Sequence, residues 1–331
     1  MKTQPHRAVS DVGVGVDPHV GPDSDPAVDP DVDRIVAQLG GVLGSSTAAA
    51  LDLDRGAIRR AVRTGQILLV RRGGYISERQ LRGSSPEAAY ALRARAVLAS
   101  RPTGEALSHH ASLAVRGIPV FGVDLRCVDL VGRVSRTMLA GIARVRPLGE
   151  LEVVLVGDAR CTSVADALVQ VALASGPSAG VISADYALNR SLVSLDDLAA
   201  AAERRRPVRA TRRLSRFLAS LDPDCESVGE SRTRLILAGA GLPVRSQVVI
   251  TTPDGEFVAR ADLLAGEKVV IEFDGALKYA HDPSGAALFA EKRREDAIRA
   301  LGYVVVRITW ADLASPARLL ARVHAACAAV D

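Results

Sequence analysis

A chain of 331 residues suggests two or three domains, and 42 Lys plus Arg against 38 Asp plus Glu leave a net charge of only +4. No apolar run approaches the roughly 20 residues needed to cross a bilayer, and the scattered Cys127, Cys161, Cys225 and Cys327 offer neither zinc-ligand spacing nor a disulfide framework. Aromatic residues are 3% of the whole, too sparse for a platform that stacks single-stranded bases, so duplex DNA is the expected ligand and the cytoplasm the expected location.

Residues 1–31 are polar, with Asp11, Asp17, Asp23, Asp25, Asp29 and Asp31, interspersed Pro and Gly, and no apolar periodicity. Such a segment buries too little apolar surface to order itself and is expected to be a disordered tail. No apolar core follows Lys2 and Arg7, so no signal peptide is read there. With this acidic tail set apart, the rest of the chain is more basic than its total charge implies.

Order is expected to begin near Val32, with a unit over residues 32–85. Its first helix runs from Asp33 to Leu39. Ser45, Ser46 and Thr47 cap a short second helix, and Asp54 caps a third that ends at Gly65. A hairpin follows: residues 67–72, a Gly73-Gly74 turn, then residues 75–77. Three helices and a two-stranded wing make a winged helix-turn-helix pattern. On the third helix, spacings of four put Arg55, Arg59 and Arg63 along one face with Arg60 beside them, while Ala57, Ile58, Ala61 and Val62 face inward. Arg71 and Arg72 on the wing are placed to reach flanking phosphates. This unit resembles the N-terminal domain of AbiEi-type antitoxins of type IV toxin–antitoxin systems. The resemblance implies DNA-binding autoregulation, with a cognate toxin or a second copy of the chain as possible partners.

The middle, residues 86–200, is expected to mix helices and strands, as does the matching region of AbiEi-like proteins. A helix over 88–99 has Pro86 at its start; strands are expected over 126–131, 143–146 and 151–156; Thr162-Ser163 caps a helix over 164–174, and Ser183 starts another to Asn189. His109 and His110 adjoin Ser108 but lack an orienting third group and a nucleophile elbow, so they are read as core or surface histidines. Residues 201–222 form a basic linker with Arg204, Arg205, Arg206, Arg209, Arg212, Arg213 and Arg216, whose second half carries Leu214, Phe217 and Leu218 at helical spacing. That strip is either a solvated face or a contact to DNA backbone through counterion release.

The last unit, residues 223–331, carries the chemistry. A helix over 226–237 places Glu230 and Arg234 one turn apart. A strand over 246–251 closes at Pro253-Asp254-Gly255. A strand ending at Asp262 and another over 269–275 flank Ala265-Gly266-Glu267, a tight turn that sets Asp262 opposite Glu272. The two-residue pleat puts Glu272, Asp274 and Val270 on one face, Ile271 and Phe273 on the other. Crowded carboxylates repel, and a divalent cation relieves that repulsion. A helix over 291–301 and a strand over 303–308 complete an αβββαβ order.

That order, together with Glu230-Ser231, Arg260-Ala261-Asp262, Ile271-Glu272-Phe273-Asp274-Gly275, Lys278-Tyr279, the Glu291–Asp296 run and the Gly302–Arg307 run, resembles the PD-(D/E)xK nuclease superfamily. More closely it is similar to a domain of unknown function related to Vsr-type endonucleases. The fold class so implied is α/β (α+β) and multidomain, ending in a restriction-endonuclease-like core. The implied activity is magnesium-dependent cleavage of DNA phosphodiesters. Asp262, Glu272, Asp274 and Glu230 are the implied metal ligands, with Lys278, Lys292 and Arg294 as candidates to steady the scissile phosphate. Where the superfamily places a lysine two positions after the acid on the third strand, this chain has Asp274. Two readings stay open: a metal-dependent endonuclease, and a non-catalytic antitoxin-like regulator on a degenerate nuclease fold.

Overall fold

A computed structural model describes residues 30–101, 103–205, 211–275 and 286–330. Most of the expected tail, residues 1–29, lies outside the described residues, as do Lys278, Tyr279 and residues 206–210 of the linker. Helix α1 (Pro30–Gln38) starts before the expected Val32, because proline's fixed φ suits the first helical position.

Strand β1 (Val42–Gly44) follows, unannounced by any turn signal, and runs straight into α2 (Ser45–Ala50). Gly44, not a serine or threonine, is the N-cap of α2, and no side chain bonds across that end, which corrects the expected Ser45-Ser46-Thr47 cap. At α3 (Arg55–Arg63) the expected cap is present: the Ala57 N–H donates to Asp54 Oδ2 at 2.8 Å. The hairpin β2 (Ile67–Arg71) and β3 (Gly74–Ser77) pairs antiparallel, and β1 adds to β3, giving the order β1-β3-β2. Val32, Val36, Leu43, Ala57, Ile58, Ala61 and Ile67 form the core beneath.

Helix α4 (Glu78–Arg82) leads to α5 (Pro86–Ala99), which lies over β1 and β3. Two glycines let it come so close. A Cβ on Gly74 would sit 2.3 Å from the Ala96 carbonyl oxygen, and one on Gly44 2.7 Å from that of Ala99. The opposite side of α5 packs on the middle unit through Tyr90, Ala94 and Val97.

There β4 (Ala106–Leu107), α6 (His109–Ala114), β5 (Val128–Gly132), β6 (Met138–Ala140), β7 (Ala143–Pro147), β8 (Val153–Val156) and β9 (Ala159–Thr162) build a mixed six-stranded sheet in the order β6-β7-β5-β4-β9-β8. Helices α7 (Val164–Ser175), α8 (Pro177–Asn189), α9 (Leu195–Arg204) and α10 (Thr211–Ala219) form a second core that includes Leu168, Val171, Ala184, Leu198, Leu214 and Phe217. Helix α8 begins at Pro177, earlier than expected. Ser183 is not its cap but a buried residue in mid-helix, whose hydroxyl donates to the Pro119 carbonyl at 2.7 Å. The linker arginines are partly tied down here: Arg204 pairs with Asp166 at 3.3 Å, and Arg213 donates to the Leu173 carbonyl at 2.8 Å.

The last unit contains α11 (Val228–Gly239), β10 (Val244–Thr251), β11 (Phe257–Ala265), β12 (Val269–Asp274), α12 (Ala286–Ala300), β13 (Val304–Thr309), α13 (Trp310–Leu313) and α14 (Pro316–Ala328). Strands run in the order β10-β11-β12-β13, the first three antiparallel and β13 parallel to β12. Leu263, Val269, Ile271 and Phe273 pack with Leu237 of α11 and with Leu319 and Val323 of α14. Ile250, Ala259, Leu264 and Val270 pack with Ile298 of α12. Among the described residues the chain is thus a mixed α/β protein with three sheets. Among the described residues no helix is long and apolar enough to cross a membrane.

Candidate functional site

Sheet register gathers the acidic residues. Leu263 pairs with Ile271, so one step further along each strand Asp262 falls opposite Glu272. The Phe273 N–H donates to Asp262 Oδ2 at 2.9 Å, which fixes that carboxylate against β12. On the other side Glu272 is the register partner of Arg307 on β13. On β10, the pairs Ser246–Leu263 and Val248–Ala261 flank Gln247, which therefore stands opposite Asp262. One polar row, Gln247–Asp262–Glu272–Arg307, crosses all four strands.

Gln247 has φ 50°, in the left-handed region that side chains avoid. This kink lets the hairpin serve two cores: Val244 joins the core under α14, whereas Val248 and Ile250 join the one under α12. It also aims the amide at α11, where Gln247 Nε2 donates to Glu230 Oε2 at 3.0 Å. Glu230 is buried on the first turn of α11 and also accepts from the Glu226 N–H at 3.0 Å. Its position follows from the Ser227 cap, whose hydroxyl accepts from the Glu230 N–H at 3.1 Å.

Burial pushes the Glu230 carboxyl above its ordinary range; hydrogen bonds from Ser227, Glu226 and Gln247 oppose the rise, and the nearby Asp262 charge adds to it. Burial likewise lifts Glu272, countered by the Arg294 guanidinium, raised again by Asp262 and countered by Arg307. Asp262 is thus the electrostatic neighbour of both glutamates. Glu272 is held from α12 by Arg294 at 3.0 Å, while Arg307 pairs with Glu291 and Glu295, each at 2.7 Å.

Of the expected site residues, Glu230, Asp262, Glu272 and Arg294 come together. Asp274 shares the Glu272 face at the end of β12, and its Oδ1 is buried without a hydrogen-bond partner. Lys292 is exposed on α12 and joins none of these pairs, and Lys278 lies outside the described residues. Gln247 and Arg307 went unrecognised as site residues, because their places beside Asp262 and Glu272 come from strand pairing that nothing local in the sequence announces. All the donors here are oxygens, and two of them, Asp274 Oδ1 and Gln247 Oε1, are buried acceptors without a donor. That is the chemistry a hard divalent ion takes. Among the described residues no three His, Cys, Asp or Glu side chains already stand as a metal cage, because Glu272 is turned to Arg294 and Asp262 to the backbone of β12.

A second polar cluster lies in the first unit. A cleft of about 620 Å³ between α2, α3 and the hairpin turn is lined by Arg55, Arg59 and Arg72 around Ile58 and Tyr75. Arg55, Arg59, Arg60 and Arg63 are all exposed on the face of α3 opposite Ala57 and Ala61, and Arg72 is exposed at the turn. Arg71 departs from the expected exposed wing residue: it is half-buried, with Nη1 enclosed and unbonded. A register shift between Leu69 and Arg71 interrupts the regular alternation of the pleat there.

Fold and site together define a multi-unit mixed α/β protein with an acidic row on one sheet and an arginine-lined cleft on another unit. No model of a known family matches the sequence, and no curated protein does.

Proposed function

We propose that this chain is a DNA-binding protein whose C-terminal unit, a Vsr-like PD-(D/E)xK fold, cleaves phosphodiesters with magnesium. The carrying observation is the row Gln247–Asp262–Glu272–Arg307 across one sheet, with Glu230 joined to it through Gln247. A purely structural sheet has little use for glutamates such as Glu230 and Glu272, whose pKa burial and the neighbouring Asp262 charge both raise, whereas a metal-dependent hydrolase needs them. Bound magnesium polarises the phosphate and supplies a water of lowered pKa. Asp262, Glu272, Asp274 and Glu230 are the oxygens to hold it, which requires Glu272 to leave Arg294. That exchange frees the Arg294 guanidinium to steady the scissile phosphate, with Lys292 on the same helix.

The αβββαβ order with β13 parallel to β12 supports the nuclease-fold reading. In the first unit, the order helix, strand, helix, helix, hairpin, with β1 closing the sheet, supports the winged-helix reading and makes α3 the helix presented to DNA. The purified protein should nick plasmid DNA with magnesium, and Asp262→Ala should reduce that roughly 100-fold or more. An inert wild type in both magnesium and manganese overturns the hydrolase.

One observation favours a second reading. Asp274 occupies the lysine position, and Glu272 is already neutralised by Arg294. On this reading the fold is a degenerate scaffold, and the protein is an AbiEi-antitoxin-like transcriptional regulator acting with a cognate toxin or as a homodimer. It predicts a defined footprint that weakens with salt and with Arg59→Ala, and no cleavage.

A further inference from the structure

The middle unit encloses a polar cavity unconnected with the acidic row. It has a volume of about 120 Å³ and lies between the start of α6, the neighbouring strands β5 and β7, and the end of α7. His110 in its wall is 2% exposed, and its Nε2 has no hydrogen-bond partner. The same ring is hydrogen-bonded to the backbone of Phe121, in the sense that favours a protonated ring, so it is the donor there and Nε2 keeps its lone pair.

Its neighbour His109 is held at φ 51°, a left-handed conformation at the first position of a helix. Two bonds hold it in place: its N–H donates to Gln170 Oε1 at 3.1 Å, and its Nδ1 is 3.0 Å from Ser108 Oγ. A strained, buried residue of this kind marks a place where the surroundings over-determine the backbone. Here it aligns two imidazoles on one small space.

Charge decides what the space can take. Arg144 and Arg146 project from β7 onto the single carboxylate of Asp129 on β5, which is register partner to Arg144. Asp124, also in the wall, is turned to Arg126 at 2.9 Å. Cys127 keeps its proton, since burial pushes its thiol up. The wall holds two guanidiniums and two carboxylates, but Asp124 is engaged by Arg126 from outside the wall, which leaves Asp129 alone facing Arg144 and Arg146, and Arg144 is still 38% exposed in its side chain. A cation finds no home there. An anion finds two donors of fork geometry and an imidazole whose free nitrogen has nothing else to bond.

We propose that this cavity binds a phosphate-sized oxyanion, held by Arg144 and Arg146 and by a proton that His110 takes up from solvent at Nε2 as the anion enters. Without the anion, burial pushes His110 down to about 4; Asp129 and the Phe121 bond oppose this, and Arg146 adds to it. His109 is also held well below the ordinary histidine value, by burial first and then by Arg146, His110, Arg205 and Arg144, and stays neutral. An anion at Nε2 reverses the balance for His110 alone. Binding then carries one proton, and affinity rises about tenfold for each unit that pH falls between the free and bound pKa values.

Sulfate is the discriminating probe, because its charge is constant over this range. Calorimetric titration of the full-length protein between pH 8 and pH 6, in two buffers of different ionisation heat, should show sulfate binding that tightens with acid and takes up one proton. His110→Asn and Arg146→Gln should each weaken it at least about tenfold. In the wild type, the ¹⁵N signal of His110 Nε2 should move from the unprotonated to the protonated range on saturation, a readout independent of any variant's folding. Inorganic phosphate and a 5′-mononucleotide form the other arms. Tighter binding of the nucleotide makes its phosphoryl group the ligand, and equal or weaker binding makes it the free anion. Absence of sulfate binding at both pH values, or binding indifferent to Arg146→Gln with no shift at His110, overturns the proposal.

Discussion

Arg234 on α11 donates to Asp185 on α8 at 2.8 Å, and the Asp185 side chain is fully enclosed. The same guanidinium donates to the Ser220 carbonyl at 2.7 Å and stands 3.3 Å from Asp222. This contact ties the helix bearing Glu230 to the middle unit. Burial raises the Asp185 pKa, and Arg234 is the largest opposing influence. Arg234→Ala should therefore strand a buried charge and cost about 3–5 kcal/mol, measured by urea unfolding. The pH sign follows: a carboxyl whose folded pKa is raised is destabilising above that pKa and costs nothing below its ordinary value. The part of the variant's deficit that comes from the Asp185 charge should accordingly shrink as pH falls through the raised folded pKa, and be gone by the ordinary Asp value. A deficit that stays constant with pH would show that the lost interaction was packing.

Gly229 and Phe273 make a second test, close to the acidic row. A Cβ at Gly229 would lie 2.1 Å from the Phe273 ring, a rigid neighbour, and that ring meets Trp310 edge-on at 5.0 Å. Gly229→Ala should cost about 1–3 kcal/mol through overpacking. It should also alter the fluorescence of Trp310, the only tryptophan in the chain. Phe273→Leu on top should restore part of the loss, so the two changes are coupled in a double-mutant cycle. Simple additivity would contradict the close approach.

Legibility from sequence followed the range of the forces involved. Asp54 announced α3 and Ser163 announced α7, because a cap is a local bond read within three residues. The Asp262–Glu272 juxtaposition was legible for the same reason: a tight turn and a two-residue pleat fix register by counting. Strands β1 and β4 were not legible, being two or three residues long and paired with partners far along the chain, and β6 and β9, although they form hairpins with β7 and β8, are only three and four residues long. Ser183 imitated a cap, but its hydroxyl bonds to Pro119, 64 residues earlier. Nothing local could have placed Gln247 in the row either. Its role depends on a left-handed backbone that glutamine seldom adopts, together with contacts from α11. The partners of Arg294 and Arg307 belong to this class, since α12 meets β12 only in the folded chain.

The arginine cleft predicts a particular pattern of salt dependence. Arg55, Arg59 and Arg72 line one groove, so alanine at each should weaken DNA binding uniformly across sequences and reduce the slope of log affinity against log salt by about 1. Being exposed, Arg59 should be replaceable with less than about 0.5 kcal/mol change in stability. Arg71 should behave in the opposite way, losing stability more than affinity, because it is half-buried. Filter binding between about 50 and 200 mM salt separates the two. Equal slopes for the wild type and Arg59→Ala would remove α3 from the interface.

The raised pKa values of Glu230 and Glu272 bear directly on the proposed metal. A carboxyl must be ionised to hold a cation, and both titrate above the ordinary glutamate value because they are buried. Magnesium affinity should therefore start to fall at a higher pH than exposed glutamates would give, and the loss should be complete once both are protonated. Arg294 is the foremost influence opposing the rise at Glu272, and it also occupies that carboxylate at 3.0 Å. Arg294→Met should do two things at once. It should raise the Glu272 pKa further, shifting the acid loss of affinity to higher pH, and it should tighten magnesium binding at pH 8, where Glu272 is ionised and no longer engaged. The cost in stability should be at most about 1 kcal/mol, since the Arg294 side chain is 45% exposed. Calorimetric titration of magnesium at several pH values reads both effects. If the variant binds more weakly at pH 8, Arg294 does not compete with the cation, and the acidic row is held together by its arginines alone.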